Sequence, residues 1–268
     1  MTFSIEGKTA IVTGAANGVG LAVARHMLEA GANVMMVDMD EAHLTDEFEA
    51  LPDKDRAQWF AGDLRERLTL ANLMSATIDA YDRLDVLVNA SRQVLSADPL
   101  DSVDDTVSKL IEQNLMTSLR LSQVAAKRMI AQSEEDEDQD SPAGSIINFS
   151  SIAARRTHPE LLAFSVSTAA LDQLTRSLAV SLASHRIRVN AVAFGSVMSH
   201  SLKETLKDNT DYRQNILDHT PLQRIASPKE VAETVQFLSS DGSGFMTGQI
   251  LTVDGGRTLL DPVNAPAH

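Results

Sequence analysis

Apolar residues fall in short runs separated by longer amphipathic stretches. Thr9-Ala10-Ile11-Val12 forms the first run, and Leu21, Val23, Ala24, Met27 and Leu28 then recur at helical spacing until Gly31 stops the helix. The same alternation predicts strands at 33–37, 58–61, 85–88, 144–149, 186–192 and 249–253, with helices near 41–50, 66–81, 101–131 and 161–184. Apolar runs of about four to six residues between helices mark parallel strands buried on both faces. The pattern predicts one doubly wound parallel α/β domain over residues 1–268, of about seven strands, with helices on both faces. An acidic loop is expected at 132–143, and an irregular flap near the strand carboxyl ends at 196–225.

Between the first strand and the first helix stands Thr13-Gly14-Ala15-Ala16-Asn17-Gly18-Val19-Gly20. Glycines there permit positive φ and let backbone amides approach a pyrophosphate seated on a helix N-terminus. Asp38 ends the second strand, where a carboxylate accepts hydrogen bonds from an adenosine ribose and repels a 2′-phosphate. No Arg or Lys follows before Lys54, so NAD(H) is expected over NADP(H). Asp63, after the third strand, is either a partner for the adenine amine or a plain helix N-cap.

Composition narrows the function classes. Hydrophobic residues make up 43% and charged residues 22% of the 268, which suffices for a packed core. The net charge of −14 argues against general nucleic-acid or anionic-membrane binding, since both need a basic footprint. Part of the excess is local, with six acids between Glu134 and Asp140, and such a run reads as a solvated loop. There are no cysteines, so disulfides and thiol nucleophiles are excluded, and no metal site is expected. No signal peptide is visible at Met1–Lys8, and no apolar run is long enough to cross a membrane. A cytoplasmic protein acting on a small molecule is expected.

The TGxxxGxG loop, Gly62-Asp63-Leu64, Asp85-Val86-Leu87-Val88-Asn89-Ala90, Asn114, Ser150-Ser151, Asn190-Ala191-Val192 and Val253-Asp254-Gly255-Gly256 resemble the short-chain dehydrogenase/reductase family. The resemblance runs from about residue 5 to 260. It implies a Rossmann-type sheet, a nicotinamide cofactor, a homotetramer, and a tetrad of Asn, Ser, Tyr and Lys that exchanges hydride and proton with a carbonyl or alcohol. It places Gly14, Asn17, Gly18, Val19, Gly20, Asp38, Asp63, Leu64, Asn89, Ala90, Gly195 and Val197 at the cofactor.

Carried over residue by residue, the tetrad divides. Asn114 matches the family's Asn, which bends its helix, and Ser151 matches its Ser, which polarises a carbonyl. The positions of the Tyr and Lys hold Phe164 and Thr168. A phenol tuned by an ammonium delivers the proton in such reactions, and general acid–base catalysis is worth about 10²–10⁴-fold. Phe164 keeps the ring without the oxygen; Thr168 loses reach and charge. Two further departures stand near the cofactor. Asn89-Ala90-Ser91-Arg92 replaces Asn-Asn-Ala-Gly, removing a glycine where backbone meets adenosine, and Phe194-Gly195 replaces a Pro-Gly turn. Two functional classes therefore stand open. One is an NAD(H)-binding protein with weak or absent hydride transfer; the other is an active oxidoreductase with a surrogate acid, His158 before Tyr212.

Overall fold

The computed structural model describes residues 3–101, 103–135 and 141–261. Seven strands form one parallel sheet: β1 Thr9–Thr13, β2 Asn33–Asp38, β3 Ala57–Ala61, β4 Val86–Asn89, β5 Gly144–Ser151, β6 Ile187–Phe194 and β7 Ile250–Val253. Their order is β3-β2-β1-β4-β5-β6-β7. The chain reverses direction across the sheet between β1 and β4, which pair through Ala10–Val86, Ile11–Leu87 and Val12–Val88. Parallel strands that diverge at such a point leave a crevice at their carboxyl ends.

Helices cover both faces, which is why the central strands are apolar without alternation. One layer packs α1 Gly18–Glu29 and α9 Pro228–Ser239 on a core containing Val12, Met27, Met36, Phe149 and Val235. The other packs α3 Arg67–Tyr81 and α5 Thr117–Glu135 on Ile11, Leu73, Leu87, Leu121 and Ile146. Helix α2 spans Glu41–Glu49, and α6 spans Leu162–Leu182.

The structure departs from the sequence pattern in four places. The helix expected over 101–131 is broken into α4 Thr106–Leu110, a π-helical turn Ile111–Met116 and α5. The predicted acidic loop begins later than 132, because α5 continues through Glu135; residues 136–140 lie outside the described residues. The segment 196–225, read as irregular, carries two short helices, α7 His200–Asp208 and α8 Thr210–Asp218. Helix α9 was not expected, although its start is written in Ser227-Pro228-Lys229-Glu230. The Ser227 backbone N–H donates to Glu230 Oε2 at 2.8 Å, and Pro228 opens the first turn, which needs no N–H there.

Candidate functional site

The glycine loop turns from β1 into α1 at the crevice. Gly14 has φ +68°, and a Cβ there would stand 3.0 Å from the Ser91 backbone. At Gly20 a Cβ would meet the Gly14 carbonyl oxygen at 2.1 Å, so the first helical turn closes onto the loop only without a side chain. Asn17, the residue before α1, makes no side-chain cap, so the first amides of α1 have no capping oxygen from it. The Asp38 carboxylate accepts hydrogen bonds from the amides of Ala16 (3.1 Å) and Asp40 (3.1 Å), tying the loop to the end of β2.

The loop after β4 is pinned from both sides. Thr13 Oγ1 accepts from the amides of Ala90 and Ser91, each at 2.9 Å. Two residues on, Asn114 grips the backbone of Gln93: its Oδ1 accepts the amide at 2.8 Å, and its Nδ2 donates to the carbonyl at 3.0 Å and to Ser167 Oγ at 3.2 Å. Asn114 sits in the π-helical turn, so the bend expected of it is present. Between these anchors Arg92 enters the crevice. Its guanidinium lies over Phe194, 4.1 Å from the ring centroid, and 5.7 Å from that of Phe164, and Nη1 donates to the Ser150 carbonyl at 3.1 Å. Burial pushes its pKa down to about 10. Phe194 is held in turn by an edge-to-face contact with Phe149, centroids 5.3 Å apart.

These elements enclose a cavity of about 630 Å³. Of the residues singled out from the sequence, Gly14, Asn17, Gly18, Val19, Gly20, Asp38, Ala90, Gly195 and Val197 line it together. Others are placed elsewhere. Asn89 is inside the core, where Nδ2 donates to Asn148 Oδ1 (2.9 Å) and Ser122 Oγ (3.1 Å). Leu64 is buried in the α3 layer. Asp63 neither lines the cavity nor caps α3; its carboxylate is paired with Arg65 (2.5 Å), which holds it below the usual carboxylate range.

The residues at the tetrad positions lie behind the cavity wall. Phe164 is buried beneath Arg92. Thr168 is buried too, and its hydroxyl donates to its own helix, to the carbonyls of Phe164 (2.8 Å) and Ser165 (3.2 Å). Ser151 Oγ accepts from the Ala153 amide at 3.1 Å and caps a short turn. Neither proposed surrogate reaches the cavity. His158 is exposed, with Nδ1 accepting from the Glu160 amide at 3.3 Å, and Tyr212 is exposed on α8. Tyr81 donates to the carbonyls of Val34 and Arg56 at the far edge of the sheet. Among the described residues that line the cavity, the only titratable groups are Asp38 and Arg92.

Arg92 is the site residue that sequence reasoning passed over. Its signal was present as the arginine of Asn89-Ala90-Ser91-Arg92, but only the missing glycine drew an inference. That a side chain there turns inward onto Phe194 follows from the Thr13 and Asn114 anchors, which are distant in sequence.

A family model described as enoyl-(acyl carrier protein) reductase matches residues 14–258. The chain belongs to the short-chain dehydrogenase/reductase family. It is similar to the 2,3-dihydroxy-2,3-dihydro-p-cumate dehydrogenase of Pseudomonas putida, 31% identical over 258 residues that cover 96% of each chain. It is equally similar to the 7alpha-hydroxysteroid dehydrogenase of Escherichia coli (strain K12), 31% identical over 94% of each chain. The solved structure of a 7alpha-hydroxysteroid dehydrogenase complexed with NADH and 7-oxo glycochenodeoxycholic acid superposes with a TM-score of 0.86 at 28% identity, covering 95% of this chain and 96% of that one. No helix among the described residues is long and apolar enough to cross a membrane.

Proposed function

We propose that the chain is an NAD(H)-binding oxidoreductase-family protein whose proton-transfer machinery is degenerate, so that hydride transfer is weak or absent. The cradle formed by Gly14 and Gly20, the uncapped N-terminus of α1 and the Asp38 carboxylate fit the adenosine diphosphate half of a dinucleotide. When bound, the nicotinamide supplies a hydride donor or acceptor. The chain's own part is to bind, to orient and to move a proton, and the last task is where residues are missing.

The single observation that carries this reading is the lining of the cavity. A carbonyl gaining a hydride needs an acid within hydrogen-bond reach. Asp38, at the end of β2, is committed to the glycine loop, and a guanidinium does not give up its proton near neutral pH. Phe164 and Thr168 stand where the family resemblance places the Tyr and Lys; one has no proton to give and the other spends its hydroxyl on helix carbonyls. Ser151 keeps a hydroxyl proton with which it can polarise a carbonyl, but its pKa lies too far from neutrality for general-acid work. The alternative, an active enzyme using His158, is disfavoured by the exposure of that imidazole and its absence from the cavity wall.

The same resemblance extends to a homotetramer assembled through the helical stretch 101–131, through α6 and through the C-terminal strand β7. Val166 and Val180 on α6 and Phe245 before β7 are exposed apolar side chains in keeping with that arrangement. Calorimetric titration with NAD⁺, NADH and NADPH tests the binding half of the proposal. Tight NADH binding is expected; no binding of any of the three would overturn it.

A further inference from the structure

The glycine loop follows β1 and Asp38 ends β2, so the groups that fit an adenosine diphosphate lie on the β1–β2 side of the point where the chain reverses direction. A dinucleotide crosses that point, and its second half then lies over the carboxyl ends of β4, β5 and β6. Arg92 stands there, in the loop after β4. Its guanidinium is seated on Phe194, the last residue of β6, 4.1 Å from the ring centroid, and Nη1 donates at 3.1 Å to the carbonyl of Ser150 in the last turn of β5. These contacts orient the group and use one nitrogen. Nε and Nη2 make no hydrogen bond among the described residues and stay open to water in the cavity, for the side chain is only half-buried. The backbone that carries it is held on one side by Thr13, through the Ser91 amide, and on the other by Asn114, through Gln93. A side chain anchored at base and head has little freedom left to lose when a ligand arrives.

We infer that Arg92 holds the second half of the dinucleotide, with Nε and Nη2 donating to the hydroxyls of the nicotinamide ribose. The inference rests on the cofactor reading above and deepens it by naming a residue for the half of the cofactor that the glycine loop and Asp38 do not reach. The guanidinium presents its donors in a fixed planar fork, and a ribose diol offers two adjacent oxygens that accept from such a fork. Hydrogen bonds from a charged donor are stronger than neutral ones, and a neutral diol gives up little solvation to make them. Thr168, at the position where the resemblance places a Lys, brings no charge, and among the described residues that line the cavity Arg92 is the one cation.

The test uses the full chain and three ligands titrated calorimetrically: ADP, which ends at the diphosphate; ADP-ribose, which adds the second ribose; and NADH, which adds the nicotinamide. Wild type is expected to bind ADP-ribose and NADH about tenfold more tightly than ADP, the equivalent of about 1.4 kcal/mol. Arg92→Ala should lose that advantage while its ADP affinity stays within about twofold of wild type, and Arg92→Lys, which keeps the charge but not the fork, should recover part of it. Circular dichroism of each variant reads its folding. Undiminished ADP-ribose and NADH affinity in a folded Arg92→Ala protein overturns the inference. An equal loss for ADP also overturns it, by placing the guanidinium on the diphosphate, and a gain in NADH affinity does so by making the side chain an obstacle. Wild type that binds ADP as tightly as ADP-ribose and NADH overturns it as well, and leaves the adenosine half of the cleft standing. Wild type that binds none of the three overturns the cofactor reading and the inference with it, with no variant needed.

Discussion

Arg92 lies over Phe164, its guanidinium 5.7 Å from the centre of a ring that carries no hydroxyl. In the family that this sequence resembles, a Tyr at that position works beside a Lys from the same helix. Here a cation comes from the loop after β4, and the position of the Lys holds Thr168, whose hydroxyl is turned back on its own helix carbonyls. A charge therefore remains beside the ring.

Asp38 is expected to set the choice of cofactor. NADH is expected to bind at least tenfold more tightly than NADPH, since the carboxylate repels a 2′-phosphate. Asp38→Asn should narrow the gap. Comparable affinities of wild type for the two nucleotides would remove Asp38 from its assigned role.

Asn114 is a structural clamp on the backbone of Gln93. Replacing it with Ala leaves the Gln93 amide and carbonyl without their partner, which costs about 1–3 kcal/mol. Chemical denaturation measures the loss, and hydrogen exchange should show it concentrated at residues 90–93. Unaltered protection of those amides would show that the clamp is dispensable.

Asp172 gives the protein a pH signature. Its carboxylate is buried against Ser150 Oγ at 2.5 Å, and burial raises its pKa while the Ser150 bond and the charges of Arg155 and Arg176 oppose the rise. A carboxyl whose folded pKa exceeds its unfolded value favours folding below the unfolded value near 3.8, and that contribution is lost as pH climbs through the folded pKa. Asp172→Asn should therefore have the higher melting temperature at pH 7, with the difference shrinking toward pH 4. A variant less stable than wild type at pH 7 would mean that the ionised form is the one the fold prefers.

Glu230 behaves in the opposite sense. Two hydrogen bonds from Arg224 and one from the Ser227 amide hold its pKa near about 2. Its contribution is present above about 4.5 and lost as pH falls through about 2. Glu230→Gln should cost about 1 kcal/mol at neutral pH, a cap-sized loss read by urea denaturation.

Light scattering checks the assembly. A mass of about four chains is expected, and a single-chain mass of 29.0 kDa across micromolar concentrations would exclude the tetramer.

Much of the fold was legible because parallel strands buried on both faces leave uninterrupted apolar runs, and each of the seven predicted strands lies within two residues of an observed one. The glycine loop and Asp38 were legible for a local reason: backbone freedom and a strand-end carboxylate are written in adjacent residues. What escaped depended on contacts distant in sequence. The resemblance implied a bend at Asn114 but not its form, the π-helical turn Ile111–Met116, which goes with a hydrogen bond from Asn114 to Ser167 and with its grip on Gln93. Asn89, read as a cofactor residue, is drawn into a buried ladder with Asn148 and Thr175. Arg92 looked like a lost glycine until Phe194, about a hundred residues later, gave it a seat.

The most direct measurement is turnover of the wild-type protein with saturating NADH and a broad panel of aldehydes, ketones and oxo acids, run beside Phe164→Tyr/Thr168→Lys. Wild type should give no hydride transfer above background, and turnover should emerge in the double variant, which restores the phenol and the ammonium that the family resemblance places at these two positions. Wild-type turnover of about 1–10³ s⁻¹, the ordinary range for enzymes, would contradict the degenerate-site reading and require an acid that the cavity wall does not contain.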